Sequence, residues 1–122
     1  LKANQYLSCM WNHRDLEDPI QKKIEAVIKA AIPDYDYGTR RQDPTQAVVG
    51  SGLFQASLTV SSKFTVDMSR VDIMEAWKSH QTLAKQAKGR FEEIIIAIDK
   101  ALPNDEIIPV TYETKAWVFQ KI

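Results

Sequence analysis

The sequence predicts an α+β fold, in which an antiparallel β-sheet has two helices packed on one face as a two-layer sandwich. The first observation behind this prediction is an alternation of apolar and polar residues from 53 to 68, which is typical of a strand with one covered face. The second is a pair of apolar stripes with helical spacing, at residues 20–31 and 73–102.

The length and composition predict one globular domain that spans residues 1–122. Hydrophobic residues make up 44% of the chain, so a core can form without disulfides or a structural metal. The 16 basic and 16 acidic side chains cancel, whereas a dedicated nucleic-acid binder usually has a positive excess. Nucleic acid is therefore not the expected partner, and a surface without net charge is compatible with self-association.

The sequence contains one cysteine and two histidines, so neither an internal disulfide nor a Cys/His metal cluster is predicted. No cofactor is expected. No apolar run reaches about 18 residues, and the chain does not open with a charged segment followed by an apolar one. These observations predict an intracellular, cytoplasmic protein without a membrane span.

The first 17 residues mix aromatic and polar types and are interpreted as a short strand or a loose arm. A helix is predicted to begin at Pro19, because Asp18 is a good N-cap and proline fits the first helical position. Gln21 occupies the position of a capping-box partner. Pro33 is predicted to end this helix, since the residue before a proline is pushed out of the α region.

Residues 34–46 are polar and rich in turn formers, which predicts a surface loop. Residues 47–49 are interpreted as a short strand and residues 50–52 as a turn. The alternating segment that follows is longer than a typical strand, so a bend, a bulge or a tight turn is expected near residues 61–62. Its apolar side is predicted to comprise Phe54, Ala56, Leu58, Val60, Phe64, Val66 and Met68.

The second apolar stripe predicts one long helix, capped by Ser69 and ending before Pro103, with a break or kink at Gly89. Residues 107–122 predict one or two strands, with Pro109 at a strand start or an edge. One side of this final segment contains Ile108, Val110, Tyr112 and Val118, and the opposite side contains Trp117 and Phe119.

The most enzyme-like feature combines Asp34 with Glu113 and Lys115. A proline–aspartate pair and a Glu-x-Lys on a strand resemble the metal-dependent nuclease pattern, in which two acids hold a divalent cation and the lysine steadies the attacking water. That family places its two motifs close together, whereas a helix and the alternating segment separate them here. The favoured interpretation is therefore a turn residue and a solvated strand face, with the nuclease kept as an alternative.

His80 is a general-base candidate, but no serine or cysteine partner can be placed beside it, and an exposed helical histidine is expected. The order of elements is similar to a double-stranded-RNA-binding domain. That family places two lysines at the start of its last helix, where this chain has Arg70 and Asp72. Nucleic-acid binding remains an alternative, through a candidate basic patch of Lys85, Lys88, Arg90, Arg40 and Arg41.

The aromatic residues Trp117 and Phe119 are the strongest candidates for a functional surface, because they lie opposite the predicted core side of the final segment. Exposed aromatics on an edge strand favour contact with another subunit, since burying one is worth about 2–3 kcal/mol. A strand buried on both faces is the alternative interpretation. The polar side of the alternating segment also suits subunit contacts. The predicted interface residues are Trp117, Phe119, Lys115, Gln55, Ser57 and Thr59.

The layout as a whole is similar to the tail-terminator, or tail-completion, proteins of tailed bacteriophages, of the minor tail protein U type. The matching stretches are IQKKIEAVIKAAIPD, FQASLTVSSKFTVDM, the helix from Ser69, and IIPVTYETKAWVFQ. The resemblance implies a small α+β protein that forms a hexameric ring, caps the tail tube and joins it to the head. The second helical run is longer here than in that family, and no functional residue is transferred from it.

These observations together predict a non-enzymatic structural protein that assembles as a homo-oligomeric ring, with other assembly proteins as its partners. Sheet edges and aromatic side chains would join the subunits, and one face of the ring would stop or dock a tube. The resemblance to phage proteins adds the virion to the expected locations.

Overall fold

The computed structural model describes residues 1–38 and 41–122. It confirms the α+β class, with a three-stranded antiparallel sheet and several helices. The described elements, in chain order, are β1 (Tyr6–Arg14), α1 (Pro19–Ala31), α2 (Thr45–Val49), β2 (Phe54–Ser69), α3 (Arg70–Lys78), α4 (Gln81–Ala87), a 3₁₀ helix (Lys88–Arg90), α5 (Phe91–Ala101) and β3 (Ile107–Lys121).

The sheet has the order β1-β3-β2, so the last strand of the chain lies in the middle. The amino-terminal segment is a full strand, β1, which pairs with β3 from Tyr6 opposite Gln120 to Arg14 opposite Tyr112. Of the two interpretations of this segment, the strand is confirmed and the loose arm is wrong. Pro109 is compatible with the central strand because β1 does not reach it, so only β2 pairs with β3 at that position.

Strand β2 is continuous over 16 residues, and its one irregularity is a β-bulge at Ser57. Ala56 lies opposite Phe119 and Leu58 lies opposite Val118, so Ser57 is the extra residue. Because side chains alternate along a strand, this insertion moves the residues before it to the other face.

The predicted irregularity is therefore real, but it lies at Ser57 and not near residues 61–62. The predicted common apolar side is also partly wrong. Phe54 and Ala56 share a face with Phe119, whereas the apolar residues from Leu58 onward face the opposite way. A single strand thus supplies apolar residues to both faces of the sheet.

The main core lies between helices α1, α3, α4 and α5 and the half of the sheet where β3 begins. The sheet contributes Ile108 and Val110, which are almost fully buried there. The predicted apolar side of α1 is confirmed, because Ile24 and Ile28 are 1% exposed. The buried members of this core are Ile24, Ile28, Tyr35, Ile73, Met74, Trp77, Leu83, Ala87, Ile94, Ile95, Ile98, Leu102, Ile108 and Val110.

The second helical region differs from its prediction, because the long stripe folds as three α-helices and a 3₁₀ turn. Its cap is as predicted, since the Ser69 hydroxyl accepts a hydrogen bond from the Asp72 amide at 3.0 Å. Helix α3 ends at Lys78, and His80 begins α4 by accepting a hydrogen bond from the Leu83 amide through Nδ1 at 3.1 Å. A second break follows at Lys88, next to Gly89 where a break was predicted, and the Lys88 φ of +54° does not continue a helix.

The predicted short strand at residues 47–49 is also wrong, since this segment is the carboxyl-terminal part of helix α2. Asp43 organises its start, because its carboxylate accepts hydrogen bonds from both the amide and the hydroxyl of Thr45. The turn predicted at residues 50–52 is confirmed, and Gly52 adopts a φ of +79° there.

Helix α1 begins and ends as predicted, although one of its contacts differs. Asp18 accepts hydrogen bonds from the amides of Ile20 and Gln21 at 3.0 and 3.1 Å. Gln21 is no capping-box partner, because the Asp18 amide donates to the carbonyl of Asp15 instead. The Gln21 side chain is buried, at 4% exposure.

We expect Asp18→Ala to lower the free energy of unfolding by about 1 kcal/mol, because two amides at the start of α1 lose their acceptor. Urea denaturation followed by circular dichroism measures this change. The control is Asp34→Ala, which removes an exposed aspartate just beyond the same helix and should cost less than about 0.5 kcal/mol. Equal losses in the two variants would contradict the capping role.

Candidate functional site

One face of the sheet is left without a covering layer over its outer half. It continues the face that packs on the helices, and it extends toward the start of β1 and the end of β3. We call it the uncovered face. By strand register it consists of Tyr6, Ser8, Met10, Asn12, Leu58, Val60, Ser62, Phe64, Thr114, Ala116, Val118 and Gln120.

The lengths of the elements explain why this face is bare. Strands β2 and β3 have 16 and 15 residues, which corresponds to roughly 50 Å of extended chain. Helix α1 is the longest described helix at 13 residues, and it spans only about 20 Å. A layer of such short helices covers one half of the sheet and leaves the other half exposed.

The large apolar side chains of the uncovered face are unusually accessible. Met10 is 67% exposed, Tyr6 58%, Leu58 55%, Val60 49% and Phe64 41%. Together these five side chains expose on the order of 450 Å². The largest apolar patch on a typical monomeric protein covers about 300–600 Å² and is often functional, so this patch is a candidate interaction surface.

The uncovered face also lacks charge. None of its members is acidic or basic, although 26% of the chain is charged. Its polar members are serine, threonine, asparagine and glutamine, which form hydrogen bonds without bringing a net charge. Depletion of charge around aromatic and aliphatic side chains is the composition found at the centres of protein–protein interfaces.

The predicted anchors Trp117 and Phe119 do not belong to this surface. They lie on the opposite face of the sheet, as predicted, but they are buried, at 6% and 1% exposure. Trp11 packs edge-on against Trp117 with ring centroids 5.6 Å apart. The segment around α2 covers this side, since α2 contacts β2 and the Asp43 carboxylate lies beside the Trp117 side chain. The prediction that the pair is exposed is wrong.

The other predicted interface residues are scattered. Lys115 shares the face of Trp117 and forms an ion pair with Glu113 at 3.5 Å. Gln55 donates a hydrogen bond to Gln120 at 3.2 Å, at the border of the uncovered face. Ser57 lies in the bulge, and Thr59 is exposed opposite Trp117.

Sequence reasoning missed the uncovered face because it assigned its apolar residues to the core. One signal was available in β3, where positions 114, 116, 118 and 120 are all uncharged on the side of Ile108 and Val110. The sequence does not show where the helical layer stops, so it does not separate the covered from the uncovered part of one continuous strand face.

The residues of the nuclease hypothesis do not form a metal centre in the described chain. Asp34 is exposed in the turn after α1, and Glu113 is paired with Lys115 on the sheet. Across residues 1–38 and 41–122, no group of three or more histidine, cysteine, aspartate or glutamate side chains is arranged to hold a metal ion.

The predicted basic patch is likewise divided. Arg90 donates a hydrogen bond to the carbonyl of Ala31 at 2.8 Å, and this bond ties the 3₁₀ helix to the end of α1. Lys85 and Arg41 line a separate cavity beside α4. Arg40 lies outside the described residues.

His80, which was considered as a general base and not favoured, is the N-cap of α4. It is half-buried, and its ring stacks on Trp77 with centroids 4.8 Å apart. The expectation of an exposed histidine within a helix is therefore wrong.

No helix in the described part of the chain combines the length and the apolar character needed to cross a membrane. No model of a known protein family matches the chain, and no curated protein sequence matches it either.

Proposed function

We propose that this protein is a non-enzymatic assembly protein that self-associates through the uncovered face of its sheet. The observation that supports this proposal is the combination of exposure and missing charge on Tyr6, Met10, Leu58, Val60 and their neighbours. Two such faces stack about 10 Å apart when sheets pack on each other, and each then shields the apolar side chains of the other.

The size of the face fits a subunit contact. A standard interface takes about 800 Å² from each partner, with an apolar centre and a polar rim. The five large side chains supply roughly half of that area, and the smaller members around them add to it.

A second copy of the chain is the occupant that fits best. A surface without charge neither attracts nucleic-acid phosphates nor offers the basic rim that binds anionic lipid. An uncharged apolar surface is self-complementary, and a chain with zero formal net charge does not repel its own copy at long range.

We further propose that the assembly is a ring and that it belongs to a phage tail. Both points rest on the resemblance of the sequence to tail-terminator proteins. The sheet would permit a ring, because β1 and β2 are its two edges in the described chain. Pairing of one subunit's β2 with the next subunit's β1 is a head-to-tail contact, and such contacts close into rings. A cytoplasmic protein that later enters a virion would follow from this setting.

The test is the oligomeric state of Val60→Lys across a concentration series, measured by sedimentation velocity or mass photometry. The wild-type chain should form dimers or larger assemblies in the micromolar range. A lysine at this exposed position leaves the monomer folded but places an unpaired charge in the contact. We expect it to weaken association by about a hundredfold or more.

Thr59→Lys is the matched control, since residue 59 lies next to Val60 but points to the opposite face, toward the surface that the sequence predicted as the interface. We expect the control to associate like the wild type. A wild-type protein that stays monomeric at hundreds of micromolar would refute the proposal, as would dissociation of Thr59→Lys alone.

A further inference from the structure

A cavity of about 710 Å³ opens between the end of β1, helix α1 and the junction of α3 with α4. Arg14 from the end of β1, Arg41 from the loop before α2 and Lys85 from α4 all line it. Glu25 is the one acidic residue among its described lining residues. The cavity therefore holds an excess of positive charge in a chain whose formal net charge is zero.

The guanidinium of Arg14 has no anionic partner in the described chain. Its carbon lies 4.2 Å from the centroid of the Trp77 ring, which covers one side of the group. Within residues 1–38 and 41–122 the guanidinium donates no hydrogen bond and forms no ion pair. Burial lowers the pKa of Arg14, Tyr112 and Tyr35 partly oppose this shift, and the nearby Arg41 adds to it. A half-buried cation without an ion-pair partner favours the binding of an anion.

Arg41 is fixed in place beside it. Its Nη2 atom donates to the carbonyl of Arg14 at 2.7 Å, and its guanidinium carbon lies 5.1 Å from the centroid of the Tyr37 ring. Burial lowers the pKa of Arg41, while Glu25 and Glu113 raise it from beyond ion-pairing distance. Glu25 is already engaged, because its carboxylate lies 2.9 Å from Lys29. The remaining donors of Arg41 are therefore available to a ligand.

The rest of the cavity combines hydrogen-bonding groups with apolar side chains such as Ile24 and Ile28. The Gln21 side chain is only 4% exposed, lines the cavity and makes no hydrogen bond to the described residues. Ser79, Gln81 and Thr82 add hydroxyl and amide groups from the α3–α4 junction. These amide and hydroxyl groups favour a ligand that has hydrogen-bonding groups of its own.

We infer that this cavity binds a small phosphorylated molecule, with its phosphate held by Arg14 and Arg41 and its hydroxylated part against Gln21 and the α3–α4 junction. A phosphate dianion balances two guanidinium groups, whereas a carboxylate balances only one. The volume falls in the range of small-molecule sites and exceeds what a phosphate ion alone would fill. A sugar phosphate has both chemical features.

The experiment is calorimetric titration of the full chain with ribose 5-phosphate, inorganic phosphate and uncharged ribose at constant ionic strength. Ribose 5-phosphate should bind at least tenfold more tightly than inorganic phosphate, and ribose should not bind. Arg14→Met and Arg41→Met should each weaken ribose 5-phosphate binding by about tenfold or more, because each removes a charged hydrogen-bond donor. Arg90→Met, outside the cavity, should bind within twofold of the wild type.

Circular dichroism of each variant separates loss of the site from loss of the fold. If Arg14→Met does not fold, Arg41→Met decides the outcome. The inference is overturned if the wild type binds none of the phosphates at millimolar concentration. It is overturned equally if folded Arg14→Met and Arg41→Met bind as well as the wild type, or if ribose 5-phosphate binds no more tightly than inorganic phosphate.

Discussion

Phe119→Ala should lower the free energy of unfolding by about 3–5 kcal/mol, because Phe119 is 1% exposed and its removal leaves a cavity between the sheet and the segment that covers it. A loss of this size is a large share of the 5–15 kcal/mol that typically holds a domain together. Urea denaturation at low micromolar concentration measures it while limiting the contribution of self-association.

Phe64→Ala is the matched control, since it removes the same side chain from the opposite face of the sheet. Phe64 is 41% exposed and stacks on Tyr112 with ring centroids 5.7 Å apart. We expect a loss of only about 1 kcal/mol, corresponding to that aromatic contact. If the two variants were equally stable, Phe119 would not be part of a buried layer, and the assignment of the two faces would be wrong.

The second large effect is expected for Ile98→Ala, which removes a fully buried side chain of α5 from the main core. The loss should be about 2–5 kcal/mol, with its exact size set by how far the neighbouring side chains relax into the space. Thermal or urea unfolding of the purified variant tests this expectation.

Ile96→Ala tests the same substitution two residues away on the same helix. Ile96 is 57% exposed, so its truncation should change the free energy of unfolding by less than about 0.5 kcal/mol. Because Ile98 and Phe119 lie on opposite sides of the sheet, their single losses should add in the double variant. A strongly non-additive result would show that the two layers share contacts.

Local signals in the sequence predicted several elements well. Asp18 and Ser69 cap helices as expected, because an N-cap acts within three residues and is visible in the sequence. The alternation at residues 53–68 predicted a strand correctly, since the two-residue period of side chains belongs to the strand itself. These features depend on neighbours along the chain.

The faces of that strand could not be predicted in the same way. Ser57 fits the alternation of polar residues, so nothing in the sequence marks it as the extra residue of a bulge. Its effect exists only in the pairing with β3, where Ala56 and Leu58 take consecutive partners, Phe119 and Val118. The prediction that Trp117 and Phe119 are exposed also failed because of contacts that are distant in the sequence. The segment that covers Trp117 is the one around α2.

The sequence indicated that the sheet has an apolar surface, but not which part of that surface stays uncovered. Apolar residues at alternate positions indicated a surface that must be covered, and the sequence offered helices to cover it. Only the structure shows that the helices are shorter than the strands, so that the helical layer covers half of the sheet face. The cavity beside α4 could not be predicted for a similar reason, since Arg14 and Arg41 are 27 positions apart in the sequence and come into contact only in the three-dimensional structure.

The central position of β3 has a consequence for biosynthesis. Strands β1 and β2 do not pair with each other, so neither has a sheet partner until residues 107–121 leave the ribosome. During translation the helices can form and pack together early, while the backbone N–H and C=O groups of β1 and β2 remain without a strand partner. We expect a nascent chain stalled before residue 107 to be protease-sensitive in β1 and β2 and to engage chaperones. Release of the last strand would then close the sheet in a single late step.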